Sequence, residues 1–211
     1  MTEISHIVAG IVAGIAGISV LEAVSVVLAL ISSVQEVKRS RWCWVTGGLA
    51  SAIAIYLYAR SRLPMQAALQ VYYVVISAYG FWHWSKDRGE VTRSVTVWPL
   101  WKNLLACVAT VAVSALTARW LATETQAAWP FLDSLTTWGS LLATWLMARV
   151  KLESWVYWLA IDATLAFLSA AQGLYLFALL SIVYLGVSAV GFAGWLKTYR
   201  HPLPVSEPNL G

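Results

Sequence analysis

The sequence predicts an all-α membrane protein with seven transmembrane helices, arranged as two three-helix units joined by one linking helix. Three observations predict it. The chain of 211 residues is 60% hydrophobic and only 11% charged, with a mean hydropathy of +0.70. No soluble core can hide so much apolar surface, because too little polar surface remains to cover it. The apolar residues fall into seven runs, each near the ~20 residues that cross a bilayer. Finally, a shift of 111 residues lays spans 2–3 on spans 6–7 without a gap.

The seven spans are read at about 7–34, 42–59, 64–84, 103–122, 131–149, 154–170 and 174–196. The first is long enough to tilt or to project from the bilayer. The sixth is short, as expected of a helix lining a hydrated cavity. A turn at Ala171-Gln172-Gly173 separates the last two. The chain thus reads as one transmembrane domain over 1–200. Its first unit is about 7–84, its linking helix about 103–122 and its second unit about 131–196. A disordered, Pro-rich tail follows at 201–211. The N-terminus has no basic stretch ahead of its apolar run, so the first helix is expected to stay in the mature protein.

Charge sets the orientation. Eleven of the 14 basic residues follow spans 1, 3, 5 and 7, from Lys38 and Arg39 to Lys197 and Arg200. Only Arg60, Arg62 and Arg119 fall on the other side. The positive-inside rule places the N-terminus outside and the C-terminus in the cytoplasm. The net charge of +4 and pI near 9.2 do not indicate nucleic acid. Lys and Arg sit at helix ends and form no continuous stripe.

In the 111-residue overlay Trp44 falls on Trp155, Tyr73 on Tyr184, Ser77 on Ser188, Gly80 on Gly191 and Trp84 on Trp195. Leu and Ala matches are cheap in this composition; Tyr, Gly and Trp matches are not. Because one helix links the units, spans 1 and 5 begin on the same side. The repeats are then parallel, about an axis along the membrane normal, with a ligand near the midplane between them.

The candidate site centres on span 6. Trp155, Trp158 and Asp162 are spaced i, i+3, i+7 and share a helical face. An acid inside a membrane helix costs roughly 2.5–3.5 kcal/mol on insertion scales, so it marks a ligand or pathway by default. Two indoles beside it suit a flat cation. The bland alternative is an interfacial aromatic belt with Asp162 bonding a neighbouring helix. Span 3 carries Gln66, Gln70, Tyr73 and Ser77 at 0, +4, +7 and +11, one polar stripe that reads as a hydrated path or as interhelical glue. Span 5 adds Asp133, which also suits a helix N-terminus, followed by Thr136. Glu22 is read as mid-span in helix 1, out of reach of any capping role and in need of a buried partner or cavity.

No catalytic or metal site is expected. His6, His83 and His201 have no metal-ligand spacing, no nucleophile elbow or P-loop occurs, and no cofactor is implied. Cys43 and Cys107 read as small buried side chains.

The segment Glu153-Ser-Trp155-Val-Tyr-Trp158 resembles the W-x-x-W region of the PnuC-type vitamin transporters. Leu69-Gln70-Val71, Tyr79-Gly80-x3-Trp84, Pro130-Phe131-x-Asp133-Ser134, Gly191-x3-Trp195 and Leu21-Glu22-Ala23 resemble further landmarks of that family. The resemblance spans about 20–196. It implies a SWEET-like fold, facilitated diffusion of a vitamin across the bacterial inner membrane, a homotrimer, and a cytoplasmic vitamin kinase that traps the product. It carries substrate contact to Trp155, Trp158 and Gln70. Ala50 and Asp162 stand where nicotinamide riboside members tend to have Asn. Nicotinamide riboside is the first substrate implied, with thiamine, also an aromatic cation, and riboflavin as alternatives. From other classes, a non-transporting membrane subunit and an intramembrane enzyme are the alternatives. A subunit has no use for an acid beside two indoles, and an enzyme would need a catalytic pair.

Overall fold

The computed structural model describes residues 2–60, 64–86, 94–124 and 129–201. These form eight helices: α1 (Thr2–Gly17), α2 (Val20–Val37), α3 (Trp42–Arg60), α4 (Pro64–Ser85), α5 (Leu100–Glu124), α6 (Pro130–Ala148), α7 (Glu153–Ala171) and α8 (Tyr175–Arg200). The expected disordered tail lies, from residue 202 on, outside the described residues.

The first expected span is corrected: it is two helices, broken at Ile18-Ser19. The cause is local. Ser19 Oγ accepts from the Glu22 N–H at 3.3 Å, and the Ser19 N–H donates to Glu22 Oε2 at 2.7 Å. This reciprocal capping box satisfies donors that a helix start leaves open. An apolar run of 28 residues hid the Ser-x-x-Glu signature inside it. The short α1 packs on the start of α8, Gly10 against Tyr175 and Gly14 against Leu176.

Among the described residues, α2, α3, α5, α7 and α8 are long and apolar enough to cross a membrane. The remaining long helices, α4 and α6, carry the polar residues Gln66, Gln70, Ser134, Thr136 and Ser140. Helices α2, α3 and α4 pack in sequence, as do α6, α7 and α8, while α5 leans on α6. Two further contacts, α2 with α8 and α4 with α6, join the two groups.

The turns α2–α3 and α6–α7 use the same hydrogen bonds, 111 residues apart. The Ser40 N–H donates to Gln35 O at 2.9 Å, and the Lys151 N–H to Leu146 O at 3.0 Å. Arg39 and Val150, also 111 apart, both adopt positive φ, 57° and 53°. Such values are uncommon for residues other than glycine. Each turn leads into a buried tryptophan. Trp44 stands edge-on to Trp84 at 5.4 Å and against Gly80. Trp155 stands edge-on to Trp195 at 5.5 Å and against Gly191. A Cβ at either glycine would collide with the indole, so only glycine admits the ring. The outer tryptophans then tie the two groups together. Trp84 Nε1 donates to Ala148 O at 3.0 Å, and Trp195 Nε1 donates to Val37 O at 3.2 Å.

The segment before α5 straps the α6–α7 turn. Thr96 pairs with it through Thr96 N–H to Val150 O at 3.1 Å and Leu152 N–H to Thr96 O at 3.0 Å. The Trp98 N–H donates to the Glu153 carboxylate.

Candidate functional site

Between the two helix groups lies a cavity of about 780 Å³, lined from α2, α3, α4, α6, α7 and α8 with a few residues of α5. It contains nine of the ten residues singled out from the sequence: Gln66, Gln70, Tyr73, Ser77, Asp133, Thr136, Trp155, Trp158 and Asp162. The tenth, Glu22, is corrected. It is exposed on α2, occupied by the Ser19 cap, and does not line the cavity. The helix break places it in a first turn, where an acid is favoured by the unpaired N–H groups and the dipole.

Each side of the cavity has a local reason. On α4, Gln70, Tyr73 and Ser77 follow one helical face inward. On α6, the hydroxyls of Thr136, Thr137, Ser140 and Thr144 are satisfied by their own helix, while Ser134 Oγ is buried without a hydrogen-bond partner. Thr136 Oγ1 donates to Leu132 O at 3.0 Å, Ser140 Oγ to Thr136 O at 2.7 Å and Thr144 Oγ1 to Ser140 O at 2.7 Å. Bonding back to the i−4 carbonyl frees these oxygens to accept from a ligand without leaving a buried donor unmet. On α7, Asp162 is 4% exposed and accepts from Ser188 Oγ of α8 at 2.9 Å. The interhelical bond and the cavity position coexist in this one acid.

The two W-x-x-W indoles differ. Trp155 is 2% exposed and wedged between Gly191 and Trp195, so packing takes most of its ring. Its Nε1 is buried without a hydrogen-bond partner, as is Nε1 of Trp44. Trp158 is only half-buried and keeps ring surface toward the cavity. The indole surface turned to the cavity is therefore mainly that of Trp158, and Trp155 is held in a rigid frame.

Among the lining residues that sequence reasoning missed, Glu36, Trp44 and Tyr184 stand out. Glu36 lies in the last turn of α2, past the expected end of span 1 among Lys38 and Arg39. The available signal was its register: Ser25, Ala29, Ser32 and Glu36 repeat the 0, +4, +7, +11 stripe of α4, and all four line the cavity. Trp44 and Tyr184 line it too, and each is the 111-residue counterpart of a residue already chosen.

The electrostatics are one-sided. Among the described residues the lining includes three carboxylates, Glu36, Asp133 and Asp162, and no Lys, Arg or His. Asp162 is buried, Glu36 is partly exposed and Asp133 is exposed, and carboxylates lining a cavity without a fixed cation favour a positively charged occupant. Nothing in the wall offers the Arg or Lys contacts that a phosphate group recruits. No group of His, Cys, Asp and Glu among the described residues could hold a metal ion.

Comparison with known proteins accords with this geometry. The chain is 27% identical over 192 residues to the riboflavin/roseoflavin transporter RibM of Streptomyces davaonensis, covering 86% of this chain and 87% of that one. It is 25% identical over 170 residues to the nicotinamide riboside transporter PnuC of Escherichia coli, covering 68% and 71%. Its fold matches the crystal structure of the vitamin B3 transporter PnuC with a TM-score of 0.71 at 21% identity, over 93% of this chain and 89% of that one. These are transporters and not enzymes, which removes the enzyme alternative. The sequence model described as nicotinamide mononucleotide transporter matches residues 19–197, from the cap of α2 to the last turn of α8, and this membrane protein belongs to that family.

Proposed function

We propose that the protein carries a vitamin that is an aromatic cation across the membrane by facilitated diffusion, with nicotinamide riboside as first substrate. The observation that carries the reading is Asp162 beside Trp158 in a cavity whose described lining has no basic residue. Trp158 stacks on the pyridinium, Asp162 offsets its charge, and Gln66, Gln70, Tyr73, Ser77, Asp133 and Thr136 bond its ribose and amide. Stacking with cation–π attraction contributes about 0.5–2 kcal/mol, more as water is excluded. No energy coupling is required, since an inside-negative potential favours cation uptake by ~2.3 kcal/mol per 100 mV.

Two parallel three-helix units, α2–α4 and α6–α8, linked by α5 are part of this reading. The matched turns, the paired Trp–Gly cassettes and the reciprocal Trp84 and Trp195 bonds support it. So does the pairing of α2 with α8 and α4 with α6, which exchange under a two-fold swap of the units. The orientation, with the N-terminus outside and the C-terminus cytoplasmic in a bacterial inner membrane, rests on the basic residues. The homotrimer and the kinase trap rest on the family resemblance.

Thiamine shares the flat cation and is the second reading. Riboflavin, named for one relative, is neutral, and three wall carboxylates give it no partner charge. The test is binding of nicotinamide riboside, thiamine and riboflavin to the purified protein, read by tryptophan fluorescence and calorimetry. The cations are expected to bind more tightly than riboflavin. Preference for riboflavin would overturn the reading.

A further inference from the structure

We propose that Glu36 is a second cation-holding carboxylate of the transport path, so that the substrate's charge passes between two partners, Asp162 and Glu36, set at different depths. This rests on the reading of the cavity as a path for an aromatic cation.

The two acids come from opposite halves. Asp162 sits mid-way along α7, nine residues beyond its first residue, or about 13 Å at 1.5 Å per residue. Glu36 is one residue from the end of α2, and the next residue, Val37, accepts from Trp195, the ring that packs on Trp155 near the start of α7. Glu36 thus lies at the W-x-x-W end of the cavity and Asp162 farther in. Glu36, Asp162 and Tyr184 all line the same cavity.

Glu36 is held for this task. Ser32 Oγ directs its one proton mainly to Cys43 O at 2.8 Å and lies 3.4 Å from Glu36 Oε1, so the carboxylate keeps most of its accepting capacity. The carboxylate is partly exposed and lines the cavity. An independent sign of a ligand lies in the same cavity. Trp44 and Trp155, 4% and 2% exposed, line the same cavity with buried Nε1–H groups that have no partner. Buried donors are normally satisfied, and a ligand's hydroxyl or carbonyl oxygen would accept from them.

The arrangement solves a transport problem. A single buried carboxylate holds a cation well and releases it poorly. Conduction needs sites favourable enough to enter and weak or numerous enough to leave. A second acid one step along offsets the cost of leaving the first. The 111-residue counterparts are not acids: Met147 answers to Glu36 and Ser51 to Asp162. The two acids therefore have no acidic counterparts under the 111-residue match.

The test compares uptake into proteoliposomes of nicotinamide riboside and of its reduced dihydro form, which is neutral and nearly the same shape. Glu36→Gln is expected to slow uptake of the cation by about tenfold, with uptake of the neutral form changed less than about twofold. Glu36→Asp should restore part of the cation rate, because charge is kept. Unchanged neutral uptake reports a folded transporter. Equal loss for both forms, or no loss for either, overturns the role of Glu36. If the wild-type protein transports neither form, the parent reading fails and the inference with it. If it prefers the cation and Glu36→Gln keeps that preference, the inference alone fails.

Discussion

The two halves of the cavity wall share a frame and differ in what they project. Helices α2–α4 and α6–α8 make the same turn, seat a tryptophan on a glycine, and anchor a second tryptophan on the opposite half. At three paired positions facing the cavity the chemistry diverges, Glu36 against Met147, Gly47 against Trp158 and Ser51 against Asp162, while Tyr73 with Tyr184 and Ser77 with Ser188 keep theirs. The frame tolerates little change because indole and glycine interlock at close-packed density. The facing positions can change because they meet a cavity. The matched residues include the packing frame, and the acids Glu36 and Asp162 and the indole of Trp158 are unmatched.

That contrast predicts a hierarchy. The largest effect belongs to the frame. Gly80→Ala and Gly191→Ala each force a Cβ into a buried indole, and overpacking typically costs about 1–3 kcal/mol. Thermal unfolding in detergent should show two similar, large losses. A loss at only one glycine would break the equivalence of the halves.

Next come the cross-ties. Trp84→Phe leaves the Ala148 carbonyl without its donor, and an unmet buried group costs about 1–3 kcal/mol. Trp195→Phe does the same to Val37. Matched destabilisation, with binding retained, is expected from the same unfolding measurement. Selective loss of binding would move these residues from frame to site.

The facing positions should respond in affinity and not in stability. Trp158→Ala is expected to weaken nicotinamide riboside binding by about tenfold, from a cation–π contact of about 1–2 kcal/mol in a partly dry site. Trp158→Phe should cost less, and Trp155→Ala should lower stability as well as affinity. Asp162→Asn should weaken the cation more than its neutral dihydro form. Calorimetry with both ligands separates these cases, and equal weakening of both would make Asp162 a packing residue.

The smallest effect lies outside the cavity. Ser19→Ala should cost about 1 kcal/mol through the lost cap, and Glu22→Gln less, with uptake unchanged in both. A marked uptake defect in Glu22→Gln would return that residue to the substrate path.

Hydropathy and spacing alone determined the membrane class, the helical runs, the W-x-x-W face and the 111-residue match of Trp, Tyr and Gly. All of these are written in local composition or in residue order. The α4 stripe and the Asp162 face were legible because a helix of period 3.6 fixes which side chains share a side. The capping box at Ser19 was legible too, but the long apolar run around it masked the break. Only the tertiary structure decided which helix sides face each other. That decision wedged Trp155 into Gly191 and left Trp158 to the cavity. It turned the last turn of α2 inward, so Glu36 became part of the wall although its neighbours Lys38 and Arg39 mark a helix end. The physical reason is that burial depends on neighbours. Periodicity names a face, and packing alone chooses what that face meets.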